Sequence, residues 1–258
     1  MTTWIRCLKD GAEYFARLDG DVAALQHGDL FDDLVDSGIQ CSVDELELLY
    51  PFEPGKYIGL WNNFHERAEL EGLSKPPHPL YFSKLRTCQL APGGVIPRPE
   101  GYDGPVVFEG ELGIVIGATA HCISPEQADE AIFGYTCVND VTARAILKSD
   151  PTFPQWVRAK SFDGFGPFGP GVVTDIDPAE LRVQTWVNGE CLQDYPVSDM
   201  FYSPQEIVSR LSHDMTLEPG DLIACGTSVG ASAMPDGCTV DVVIEGVGRL
   251  SNRFFDLR

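Results

Sequence analysis

A β-rich α+β fold is what this sequence predicts, and three observations carry it. Short runs of β-branched and aliphatic residues recur along the chain, Gly and Pro punctuate them, and few segments carry a helix-start signal. Many strands with few helices do not read as alternating βαβ units. At 258 residues and 43% hydrophobic, the chain suits one large domain, or one domain with a small annex, around a substantial core.

In order along the chain, residues 4–8 and 13–18 read as two short strands split by the Asp10-Gly11 turn signal. Residues 43–49 read as a strand or a short helix, ended by Pro51 and Pro54. The first 53 residues hold twelve acidic side chains against Arg6, Lys9 and Arg17. This acidic stretch is expected to be a small N-terminal domain over 1–53, with the catalytic domain over 54–258. Strands are expected at 106–108, 112–116, 172–173, 183–187, 222–224 and 240–244. Helices are expected at 124–132 and 203–211, where Ser124-Pro125 with Gln127 and Ser203-Pro204 with Glu206 have the capping-box spacing. Residues 63–70 and 141–147 are further helix candidates.

The formal net charge of −21 disfavours nucleic acid and anionic membrane surfaces as partners. Residues 1–10 lack the apolar stretch of a signal peptide, and no run approaches the ~18 apolar residues that span a bilayer. Eight cysteines are scattered without a C-x-x-C pair, as expected of small core residues kept reduced in the cytoplasm. Gly164-Phe165-Gly166-Pro167-Phe168-Gly169 fits G-x-G-x-x-G in letters only. Pro167 and Pro170 interrupt it and a strand signal follows at Val172-Val173, so it reads as a turn-rich loop.

The informative segment is Glu109-Gly110-Glu111, which leads into an apolar run. In a strand, residues i and i+2 share a face, so both carboxylates point the same way. They repel unless a cation lies between them or one keeps its proton; the plainer alternative is a solvated polar edge. An all-oxygen cluster favours Mg²⁺ or Mn²⁺, with Ca²⁺ as a third option. Asp140 ends another apolar stretch, and its spacing suits an N-cap as well as a third ligand. Arg144 lies four residues on, where a salt bridge to Asp140 is the modest reading.

These residues sit in motifs that resemble those of the fumarylacetoacetate hydrolase family, including its 2-hydroxyhepta-2,4-diene-1,7-dioate isomerase-like branch. Residues 109–117 resemble the family's E-x-E-L-x-x-V-I-G, and 134–144 its G-Y-x-x-x-N-D-x-S-A-R, with Thr142 keeping the hydroxyl of the usual Ser. Lys160-Ser161-Phe162-Asp163 with 166–170, Asn188-Gly189 with Gln193, and 217–227 are similar to three further motifs, in order. The resemblance implies an FAH-type mixed β-sandwich roll, one divalent metal and a homodimer. It implies Glu109, Glu111 and Asp140 as metal ligands and Lys160 as a catalytic or substrate-binding lysine. Arg144, Gln193 and Thr227 match positions at the substrate, and Asp163 orients Lys160 or its loop. His65 matches the family's water-activating histidine, but Ala68 stands where its acidic partner is expected, leaving Glu69 or Glu66 as the replacement. Leu147 stands where many members carry Gln.

The expected function is a divalent-metal-dependent enzyme acting on an anionic 2-oxo acid through a chelated enolate. Hydrolytic C–C cleavage of an acylpyruvate leads. Decarboxylation of an oxaloacetate-like acid, and isomerisation or hydration of an unsaturated 2-oxo diacid from aromatic catabolism, are the alternatives. A non-enzymatic metal-dependent binding protein is the reading from another class. Arg144, Lys160 and the metal would supply the local positive field that an overall charge of −21 does not.

Overall fold

The computed structural model describes residues 1–256. The acidic N-terminal stretch forms an antiparallel meander of β1 (Thr2–Lys9), β2 (Ala12–Asp19), β3 (Val22–Gly28) and β4 (Leu34–Ser42). The segment expected as strand or helix divides instead. Val43–Glu45 make a single 3₁₀ turn, with the Glu45 carboxylate accepting from the Ser42 N–H at 3.1 Å, and β5 (Glu47–Leu48) then pairs with β1. Ile5, Cys7, Ala16, Ala23 and Leu25 close a small core of their own. The meander is also continuous with the rest of the molecule, because β1 pairs with β14 (Gly166–Thr174) at Thr3↔Val173.

After the Pro51–Pro54 break come β6 (Tyr57–Trp61), α1 (His65–Glu71), β7 (Leu80–Lys84), β8 (Gln89–Leu90), β9 (Val95–Pro97), β10 (Val106–Val107) and β11 (Gly110–Ile116). Then follow α2 (Ala128–Ala131), β12 (Ile132–Asn139), β13 (Thr142–Ala143) and α3 (Trp156–Lys160), which leads into β14. The chain closes with β15 (Arg182–Val187), β16 (Glu190–Pro196), α4 (Pro204–Asp214), β17 (Leu222–Ala224), β18 (Thr239–Ile244) and β19 (Gly248–Phe255). Among the described residues, twelve strands form one sheet along the path β4-β3-β2-β1-β14-β12-β11-β17-β6-β7, with β5 and β8 attached to it. A second sheet runs β16-β15-β18-β19-β9, and β10 pairs with β13 alone.

Two sheets with a shared interior explain the burial. Every residue of β11 is buried, so both of its faces are covered, whereas β15 and β18 alternate and turn Val183, Thr185, Val240, Val242 and Ile244 inward. Ile114, Ile116, Val183 and Ile244 share one core with Ile207, Val208 and Leu211 of α4. Each such side chain contributes about 1.5–3 kcal/mol on burial. Helix α4 begins as its capping box requires. The Glu206 N–H donates to Ser203 Oγ at 3.2 Å, and the Ser203 N–H donates to the Glu206 carboxylate at 2.9 Å.

Two local expectations are corrected. Residues 141–147 are not a helix, because Val106-Val107 recruit Thr142-Ala143 into a two-stranded ladder and only a 3₁₀ turn, Arg144–Ile146, remains. Asp140 is therefore no helix cap. The G-x-G-x-x-G stretch opens no helix; β14 already begins at its second glycine. Among the described residues no helix is long and apolar enough to cross a membrane.

Candidate metal centre and active site

Strand pairing assembles the site. In the β11–β12 ladder Gly110 faces Asn139, so the residues just before β11 and just after β12 lie side by side. Glu109 and Asp140 occupy those positions. The Asp140 N–H donates to the Glu109 carbonyl at 2.8 Å, and the Glu109 N–H to Asn139 Oδ1 at 3.1 Å. Glu111, two residues along, points to the same side. Oxygens of Glu109, Glu111 and Asp140 lie within 4.8 Å of one another, and all three side chains are buried.

Gly110 between the two glutamates is required by close approach. A Cβ there would lie 2.0 Å from Thr185 Oγ1. Its N–H donates to Gln193 Oε1 at 3.0 Å, and its carbonyl accepts from Tyr195 OH at 2.5 Å and from Thr227 Oγ1 at 2.9 Å. Gln193 lies behind this arch, 1% exposed, and its amide also reaches Thr227 Oγ1 at 2.9 Å and the Val229 carbonyl at 3.1 Å. It braces the backbone of the carboxylates and does not line the cavity, contrary to its expected place at the substrate. Thr227 does line the cavity. The preceding Gly226, at φ +90°, turns its N–H onto Glu111 Oε2 at 2.8 Å.

The charges are unequally compensated. Lys160 Nζ, at the end of α3, bonds both Glu109 Oε2 and Asp140 Oδ2. Lys84 Nζ donates to Asp140 Oδ1 at 2.6 Å. Burial alone would raise the Asp140 pKa, but the charges of Lys160 and Lys84 outweigh it and hold it below the usual carboxylate value. Burial would likewise lower Lys160, yet Asp140, Glu109 and Glu111 hold it above the ordinary lysine value, so it remains an ammonium. Glu111 has one backbone N–H and no lysine hydrogen-bonded to it. Burial first, and the Asp140 charge second, push its pKa well above normal. A group of three carboxylates, one of them short of a counter-charge, is a donor set that fits a hard divalent cation.

Glu109, Glu111 and Lys160 form the floor of a cavity of about 560 Å³, with Asp140 buried behind them. One wall is aromatic: Phe82 stacks on Trp156 with centroids 5.4 Å apart, and Trp61 leans on Trp156 at 5.6 Å. The rim carries Arg67, Arg144 and Lys148. Arg144 is not paired with Asp140, whose two oxygens are held by the lysines.

Four expected participants lie elsewhere. In α1 the i, i+4 pair Arg67 and Glu71 faces the cavity, joined at 3.0 Å, and Ala68 packs into the core. His65 and Glu69 form the other i, i+4 pair and are exposed, with the His65 ring against Phe201 at 4.2 Å. A helix of 3.6 residues per turn cannot present both pairs to one cavity. Glu66 is exposed as well, and Asp163 is exposed outside the cavity lining. Lys84, which no motif marks, is the converse case. Alternation along β7 buries Phe82 and Lys84 on one face, and a lysine on a buried strand face was the available signal.

Comparison with known proteins agrees with this geometry. The family model described as fumarylacetoacetate (FAA) hydrolase C-terminal matches residues 56–255. The chain is 37% identical over 226 residues to oxaloacetate tautomerase YisK of Bacillus subtilis, covering 82% of this chain and 74% of that one. It is similar to the crystal structure of a 2-hydroxyhepta-2,4-diene-1,7-dioate isomerase from Mycobacterium marinum, with TM-score 0.90, 36% identity and coverage of 100% and 99% of the two chains. It also resembles a fumarylpyruvate hydrolase from Pseudomonas aeruginosa solved with Mn²⁺ and pyruvate, with TM-score 0.73, 28% identity and coverage of 80% and 91%.

Proposed function

Because the chain belongs to the fumarylacetoacetate hydrolase family, we propose that it is a divalent-metal-dependent enzyme that shifts a proton within a 2-oxo acid through its enolate, as a tautomerase or isomerase. The observation that carries this reading is the division of α1: Arg67 and Glu71 face the cavity while His65 and Glu69 face away. Only hydrolysis and hydration need an activated water, and the histidine expected to activate it is not at the floor.

Glu109, Glu111 and Asp140 would hold Mg²⁺ or Mn²⁺, which supplies Lewis-acid stabilisation of an enolate oxygen when bound. Lys160 stays protonated and offers an N–H to the same oxygen or to the adjoining carboxylate. Thr227 lines the cavity while its hydroxyl holds the Gly110 carbonyl between the two glutamates, and Arg67, Arg144 and Lys148 attract the acid to the mouth against the protein's overall negative charge. Hydrolysis of an acylpyruvate is the second reading, supported by the similarity to a fumarylpyruvate hydrolase. The working form is proposed to be a cytoplasmic homodimer.

The test follows oxaloacetate and acylpyruvates incubated with Mn²⁺ by enol absorbance and proton NMR, with mass spectrometry to detect cleavage. Faster keto–enol equilibration or a moved double bond without a change in mass is expected, abolished by EDTA and retained in His65→Ala. Two organic acids, lost with His65→Ala, would replace the isomerase reading by the hydrolase one.

A further inference from the structure

We propose that Lys84 is a positioning residue for the metal centre: it fixes the orientation of Asp140 and the backbone of Lys160 together, without touching substrate. Its side chain has no exposed surface and does not line the cavity. All three N–H groups of the ammonium find acceptors: Asp140 Oδ1 at 2.6 Å, the Lys160 carbonyl at 2.6 Å and the Phe165 carbonyl at 3.0 Å. The Tyr57 ring lies beneath it at 5.7 Å. One atom on β7 thus joins the end of β12, the end of α3 and the turn that opens β14.

The division of Asp140 is the consequence. Lys84 takes Oδ1, and Lys160 takes Oδ2 together with Glu109 Oε2. Without Lys84, Oδ1 would be a buried carboxylate oxygen with no donor, which is costly. Rotation of Asp140 to put both oxygens on Lys160 relieves that cost and turns the carboxylate out of the triad. The Lys160 carbonyl loses its anchor in the same change, so ligand and lysine shift together. Groups that orient a metal's ligands change metal affinity by 10–100-fold when removed.

This inference rests on the metal reading of the triad, and its test separates the two. Mn²⁺ is titrated calorimetrically at fixed pH into wild type, Lys84→Met and Lys84→Arg, each checked for folding by circular dichroism. Electrostatics alone would make Lys84→Met bind Mn²⁺ more tightly, since a nearby positive charge is gone. Positioning makes it bind at least tenfold more weakly. Lys84→Arg keeps the charge, but its planar fork cannot direct three donors from one point, so it is expected to weaken binding similarly. A folded variant of either kind that binds as wild type does, or more tightly, overturns the assignment. So does failure of both to fold, which would make Lys84 a folding residue. Wild type that binds no Mn²⁺ would instead remove the metal reading itself.

Discussion

Glu111→Gln is the substitution that separates metal binding from fold most cleanly. The side chain is 1% exposed, receives one N–H from Gly226 at 2.8 Å, and has its pKa pushed well above normal by burial and by Asp140. In the metal-free protein it is the carboxylate that the fold compensates least. Glutamine keeps the shape and an oxygen for the Gly226 N–H while removing the charge, so metal-free Glu111→Gln should be at least as stable as metal-free wild type. The gain from metal should vanish with it. A cation at a hundred times its dissociation constant stabilises by about 2.7 kcal/mol. At roughly 2–4 °C per kcal/mol for a chain of this size, wild-type Tm should rise by about 5–11 °C. Thermal unfolding followed by circular dichroism, in EDTA and then in Mn²⁺, reads both quantities. A Glu111→Gln protein whose Tm still climbs with Mn²⁺, or which unfolds well below metal-free wild type, would refute the reasoning.

Two further outcomes follow from packing. Gly110→Ala drives a methyl to 2.0 Å from Thr185 Oγ1, and should cost about 1–3 kcal/mol in denaturant unfolding and weaken Mn²⁺ binding, because the displaced arch carries Glu109 and Glu111. Thiol titration at pH 8 should label exposed Cys122 first and the half-buried Cys41 and Cys191 slowly. Burial raises Cys7 to about 11 and Cys137 to about 12, so thiolate is scarce there, and the five buried cysteines should react only in denaturant. More than three labels in native protein would contradict the described core.

Much of the site was legible because its signals are local. Glu109 and Glu111 share a face by the period of a strand, whereas Asp140, whose spacing suited a helix cap equally well, was marked as a ligand by the resemblance to the family motif. The capping boxes at Ser124 and Ser203 were legible for the same reason: a cap is decided within four residues. Residues 141–147 misled because helix spacing there competes with a β-ladder whose other strand, Val106–Val107, is distant in sequence. In α1, order along the chain put His65 at the expected place, but rotation about the helix axis is decided by Ala68 packing into the core.

The sequence by itself determined a strand-rich fold and the shared face of Glu109 and Glu111, because periodicity is a property of neighbouring residues; Asp140 and Lys160 joined them only through the resemblance to family motifs. The tertiary structure decided which charges share one dry volume. Lys84 reaches Asp140 across 56 residues and Lys160 reaches Glu109 across 51, and Gln193 supports Gly110 across 83. Such partners are chosen by how strands order within a sheet, and the energy that selects them, the cost of burying an uncompensated charge, exists only once the sheet has closed around them.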